Sequence, residues 1–151
     1  MTLRFIPCLL VVAACAGSTA GTGSPVANRS PETTVGAFLA AARDTNLTLM
    51  ANYWGGDAGP AAISKKPADY EKRIRVMQKY LASDSAKLVT LGSVDGQPDQ
   101  VMVTMRLFVG NCRNNVPFVV GHWKDQYIVR SVDVTMAGNP GRPCDDQGNP
   151  L

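Results

Sequence analysis

The sequence predicts an α+β fold, with three N-terminal helices packed on an antiparallel four-stranded meander. Three observations lead there. Residues 100–109 alternate strictly, with Val101, Val103, Met105, Leu107 and Val109 on one face and Met102, Thr104, Arg106 and Phe108 on the other. Period two over this length is a half-buried strand, and its wholly apolar face needs a cover. Upstream, three stretches carry apolar residues at helical spacing. Downstream, the strand-like runs are separated by short connections, which force neighbouring strands to be antiparallel. Helices gathered on one face of such a sheet define the class.

The chain is read in order from residue 1. Residues 1–14 hold a single charge, Arg4, followed by an apolar run over 5–14. That run is too short to span a bilayer and has the flanks of a secretory signal peptide. It ends in Val12, Ala13, Ala14 and Cys15, which resembles the lipobox of bacterial lipoproteins. In that family the Cys thiol is diacylated and the signal is cut just before it. The resemblance implies that Cys15 carries lipid and anchors the chain to the cell envelope as a membrane-attached, palmitate-bearing lipoprotein. Ala16 rather than Asp follows it, which implies the periplasmic face of the outer membrane in a diderm. The other reading is an ordinary signal cut near Ala14 or Ala20. Residues 15–29 are rich in Gly, Ser, Thr and Ala without periodicity, so they read as a tether with a reach of about 20 Å.

The domain is expected over 30–135. Ser30 is a good N-cap, Pro31 suits the first helical position and Glu32 favours the positive end of the dipole. Val35, Phe38, Leu39 and Ala42 follow as the buried stripe. Asp44, Thr45 and Asn46 break this helix and can cap a second, which carries Leu47, Leu49, Met50 and Tyr53 and stops at Gly55 and Gly56. The stretch 52–60 is the most distinctive, with Tyr53 and Trp54 directly before a Gly-rich turn. It reads either as a helix end with both aromatics packed in the core or as a ligand loop. A third helix is predicted over 67–81, with Tyr70, Ile74, Met77 and Leu81 inward and Lys72, Arg75 and Lys79 outward. The basic face is either a solvated surface, diluted by Asp69, Glu71 and Asp84, or a contact for anionic headgroups. Strands are predicted over 87–94, 100–109, 116–122 and 126–134, with a turn at Asp95-Gly96 and a hairpin loop over 110–115. Residues 136–151, Gly, Pro, Asn and Asp with almost nothing apolar, read as a polar tail.

The chain has 15 basic and 12 acidic residues, net +3. This is too mild to suggest nucleic acid. Loss of the signal leaves three cysteines. With Cys15 lipidated, Cys112 and Cys144 remain, and in an exported chain a disulfide between them is the default. A zinc site is the rival, but His122 is the only histidine and no Cys-x-x-Cys occurs. No metal or cofactor is expected.

Ser30, Pro31 and Glu32, the run Ala37 to Ala41, Leu49 and Met50 leading to Gly55 and Gly56, and the final Tyr127 to Asp133 resemble the nuclear-transport-factor-2-like superfamily. This superfamily is also called SnoaL-like or cystatin-like. The chain is similar in particular to small bacterial lipoproteins of unknown function with that domain. The resemblance implies a curved, cone-like sheet around a possible pocket, and relatives often dimerise through the sheet. Many relatives have five or six strands, so a four-stranded sheet implies a shallower cone. Family enzymes of isomerase, cyclase or dehydratase type use an acid, base or tyrosine inside the cone. Here His122 sits at a hairpin end, Asp57 in a loop, Asp125 in a turn and Asp133 near the end of the last strand with no partner to name. The expected role is therefore non-catalytic: a domain binding an apolar small molecule or an envelope partner. A cone-fold enzyme and a dimerising scaffold are the alternatives. The expected lining is Tyr53 and Trp54 at the mouth, Tyr70 and Met77 on the third helix, and Val103, Met105 and Phe118 as floor; the rival is that these side chains fill the core. Met102 and Phe108 on the mixed strand face suggest a weak homodimer.

Overall fold

The computed structural model describes residues 30–149 and 151. The signal peptide, Cys15 and the tether lie outside the described residues. The fold is α+β. Helices α1 (Pro31–Arg43), α2 (Leu47–Tyr53), α3 (Ala61–Ser64) and α4 (Tyr70–Leu81) precede strands β3 (Ser85–Val94), β4 (Gln97–Val109), β5 (Cys112–Trp123) and β6 (Gln126–Val132). The sheet is an antiparallel meander of order β3-β4-β5-β6. A two-stranded ladder of β1 (Gly55–Gly56) and β2 (Gly59–Pro60) sits between α2 and α3. A 3-10 turn over Val134–Ala137 follows β6.

Local chemistry explains the helix ends. The Ser30 side chain accepts from the Thr33 amide, and the Thr33 hydroxyl accepts from the Ser30 amide, a reciprocal capping box. Asn46 caps α2 by accepting from the Leu49 amide at 2.9 Å. The third expected helix starts three residues later than Pro67: residues 67–69 form a turn, closed by the Tyr70 amide donating to the Pro67 carbonyl. Three helices were expected and four are present. The extra one, α3, is a single turn, too short for a periodic stripe, and ends at Lys65 in the left-handed region (φ 55).

The core lies between the helices and the face of the sheet that carries Val103, Met105 and Leu107 from β4 and Val116, Phe118 and Val120 from β5. Val35, Phe38, Met50, Ile74 and Leu81 cover it, each at most 1 % exposed. The helical layer reaches only the start of β3, where Ala86 packs against the core. Leu88, Val89 and Leu91 of that edge strand stay exposed.

Several strand boundaries differ from the sequence reading: β3 starts at Ser85 rather than 87, β4 at Gln97 rather than 100, β5 at Cys112 rather than 116 and ends at Trp123 rather than 122, and β6 ends early. The six-residue loop expected over 110–115 is a two-residue turn of Gly110 and Asn111, because Cys112, Arg113, Asn114 and Asn115 pair with Val109, Phe108, Leu107 and Arg106. Arg113 and Asn115 on the open face, and Asn114 on the other, where it donates to the Ala137 carbonyl, gave this stretch of strand the look of a loop. The last strand ends at Val132 rather than Val134, since Asp133 turns the chain by accepting from the Thr135 amide at 3.1 Å. The expected boundary at 135 falls inside the 3-10 turn, whose Ala137 packs in the core. Cys112 and Cys144 are joined in a disulfide, with Cα atoms 5.2 Å apart. It ties the polar tail to the β4–β5 hairpin.

Candidate functional site

Six of the seven residues expected to line a pocket, Tyr53, Trp54, Met77, Val103, Met105 and Phe118, are packed in one core, and Tyr70 packs against it, so most of the expected lining fills the core instead. Val103 and Phe118 have no exposure. The ring of Phe38 from α1 meets that of Phe118 edge-on, with centroids 6.5 Å apart, and takes the space that a cavity floor would border. Tyr53 is buried in the same core, and Met105 touches the surface only at a small groove between α1 and the start of β3. Tyr70 stands at the edge of that core, in a groove between α2, α3 and α4, where its hydroxyl donates to Glu71 at 3.2 Å.

Trp54 and Met77 come together. They border a cleft of about 430 Å³ between α4 and β6, with Val76, Val132 and Val134 as further apolar lining and Asp69, Lys72, Arg73, Arg130 and Ser131 as polar lining. Trp54 reaches this place because α2 ends at Tyr53. Residue 54 turns extended (φ -118, ψ 140) and bridges Val129 in parallel, prolonging the sheet past β6. Its carbonyl accepts from the Ala61 amide at 2.8 Å, which closes the β1–β2 turn behind it. The indole is 8 % exposed.

The Gly-rich turn is held by two close contacts. A Cβ on Gly59, which sits at φ 97, would collide with the Trp123 ring. Arg130, the extra residue at the β5–β6 register shift, donates to the Asp57 carboxylate at 3.1 Å and to the His122 carbonyl at 2.6 Å. A Cβ on Gly121 would lie 2.9 Å from the Arg130 Nε, so the glycine makes room for this side chain. Sequence reading singled out the glycines and Trp54 but missed Arg130. Its bulge and its reach to residue 57 leave no trace in local pattern.

The chemistry-bearing residues do not converge. His122 lies against Tyr127, with ring centroids 3.9 Å apart, and is exposed. Asp133 caps the 3-10 turn. Asp69 is held below its ordinary carboxylate value first by its hydrogen bond from Arg73. Asp145 is likewise lowered, first by the Asn149 amide and then by the Asn149 side chain. Among the described residues no three His, Cys, Asp or Glu side chains come together to hold a metal, and no helix is long and apolar enough to cross a membrane. No family model, curated protein or solved structure matches the chain.

Proposed function

We propose that the chain is an exported, lipid-anchored, non-catalytic domain that binds a small apolar or amphipathic ligand in the cleft between α4 and β6. The observation that carries this is the pairing of Trp54 with Met77 in one apolar-floored cleft with charged residues at its edge. A flat aromatic beside a pliable thioether grips an apolar body, and polar groups around it fix orientation. The nuclear-transport-factor-2-like resemblance is kept as part of this reading, supported by the order of helices and meander. The ligand seat lies at the flank of the domain, because the centre is occupied by Phe38 and Phe118. Anchoring at Cys15, on the periplasmic face of the outer membrane in a diderm, belongs to the same reading. Metabolic labelling with a palmitate analogue tests the anchor: equal labelling of Cys15→Ser and parent would refute it.

The binding claim is read by tryptophan fluorescence. Trp123→Phe leaves Trp54 as the sole reporter, since the chain has two tryptophans. A saturable change with decanol, lost in Met77→Arg, is the expected result. No change across alcohols, fatty acids and aromatic acids would refute the site.

A second reading is a dimerising scaffold. Leu88, Val89 and Leu91 are exposed on the edge strand, and Met102 and Phe108 are partly exposed on the mixed face of β4. Sedimentation over a wide concentration range separates the two, because the scaffold reading requires a concentration-dependent dimer.

A further inference from the structure

We propose that the outer face of α4 is a docking surface for an anionic lipid bilayer. The inference rests on the envelope-anchored reading above and adds the surface that meets the membrane.

Residues 65–79 hold six basic and two acidic side chains, a local +4 in a chain whose total is +3. The rest of the chain is therefore slightly acidic, and the positive charge is concentrated here. On α4, Lys72, Arg75, Val76 and Lys79 fall in one sector of about 100° of the helix. That sector lies opposite the buried Ile74, Met77 and Leu81, and all four of its members are exposed. Two acids flank it, Asp69 near Lys72 and Glu71 in the same groove as Arg75. Asp69 is bound to Arg73 at 2.9 Å, Glu71 accepts from Tyr70, and Asp84 accepts from the Gly110 amide at 2.8 Å. The stripe itself holds three cations, with Val76, 43 % exposed, among them, and the segment stays at +4 with both flanking acids counted.

The positive surface extends beyond the helix. Lys65 borders the same groove as Arg75, and Arg142 of the disulfide-tied tail borders the same groove as Lys79. A straight cationic face with an apolar side chain in its middle matches a plane of anionic headgroups over an apolar layer. A diacylated cysteine holds a chain to a bilayer without fixing its orientation, and a basic face sets which side of the domain meets the headgroups. Lys72, Arg73 and Val76 also line the Trp54 cleft. Docking by this face would bring the mouth of that cleft to the headgroup layer, where an amphipathic ligand resides.

The test is co-sedimentation of the full, processed chain with vesicles of phosphatidylcholine alone or with 30 % phosphatidylglycerol, roughly the anionic content needed for a surface field. The ratio of the two affinities reads the stripe, because an acyl chain contributes to both. Binding to phosphatidylcholine alone reads the anchor, so failure of one leaves the other measurable. Each cation at the surface is worth about five-fold in affinity, so K72Q/R75Q/K79Q should lower the ratio on the order of 100-fold at low salt. Raising salt to about 1 M, where the Debye length is about 3 Å, should erase most of the parent's preference. K87Q/R106Q/R113Q removes the same number of exposed charges from the sheet and should leave the ratio near that of the parent. A parent ratio near one, or an equal fall in both triple variants, would overturn the proposal. Tighter binding to polyglutamate than to the anionic vesicles would assign the stripe to an acidic protein, and would overturn it too.

Discussion

A methyl group at residue 59 has nowhere to go: the position is left-handed and the Trp123 ring fills the space beyond it. Gly59→Ala is therefore expected to cost at least about 2 kcal/mol, combining strain with a forced shift of the indole. Urea denaturation checks this, and a neutral result would mean that the turn can rearrange. Arg130 allows a sharper comparison. Its bond to Asp57 ends on a fully exposed carboxylate, whereas its bond to the His122 carbonyl accompanies a side chain only 16 % exposed. Asp57→Asn should change stability by under about 0.5 kcal/mol. Arg130→Ala should cost about 1–3 kcal/mol, because a carbonyl loses its partner and the space above Gly121 opens. Arg130 was illegible in the sequence for a physical reason. An arginine in a strand reads as outward and solvated, and nothing local signals the register shift beside Val129 or the contacts of this side chain with Gly121 and Asp57.

At the scale of elements, periodicity carried the reading wherever a segment was long and one-sided. The stripes of α1 and α4 stand as expected, and the alternation of β4 holds over Val103, Met105 and Leu107, whereas Val101 is half-buried and Val109, at the hairpin end, is exposed. The start of β5 was hidden because Arg113, Asn114 and Asn115 are paired in backbone but polar in side chain. Pattern reports burial and not pairing, so a ladder that extends past the core looks like a loop. The same limit concealed α3, a single turn following Pro60. The disulfide gives this end of the molecule a measurable role. The bridge spans 32 residues, which corresponds to about 3–4 kcal/mol of chain entropy. Cys112→Ser with Cys144→Ser should lower stability by up to that amount, and denaturation of the paired variants is the check. Within the tail, Asp145 accepts from the Gln147 and Asn149 amides, and its folded pKa lies below the ordinary 3.8. A depressed carboxylate contributes above its unfolded pKa and loses that contribution as pH falls through the folded value. The amide resonances of residues 147–149 should therefore hold their positions from neutral pH down to about 4 and move only in stronger acid. Movement near pH 6 would contradict the assignment to Asp145.

On the scale of the whole molecule, the centre is filled and the flank between α4 and β6 is open. Phe38, Phe118, Val103 and Leu81 pack between sheet and helices with 0 % exposure. Phe118→Ala should accordingly cost about 3–5 kcal/mol rather than open a site. The candidate lining was half legible. Aromatics beside a Gly-rich turn marked Trp54, and the α4 stripe marked Met77. No local rule distinguished those two from Val103 and Phe118, because distance from the centre of the sheet is a tertiary property. Mapping amide chemical shifts of the isotopically labelled chain with decanol tests the central claim most directly. The account predicts saturable shifts at residues 54, 76, 77 and 131–134 with the amides of 103, 116 and 118 unmoved. Shifts at 103, 116 and 118 with the cleft silent would place the ligand inside the core and contradict it.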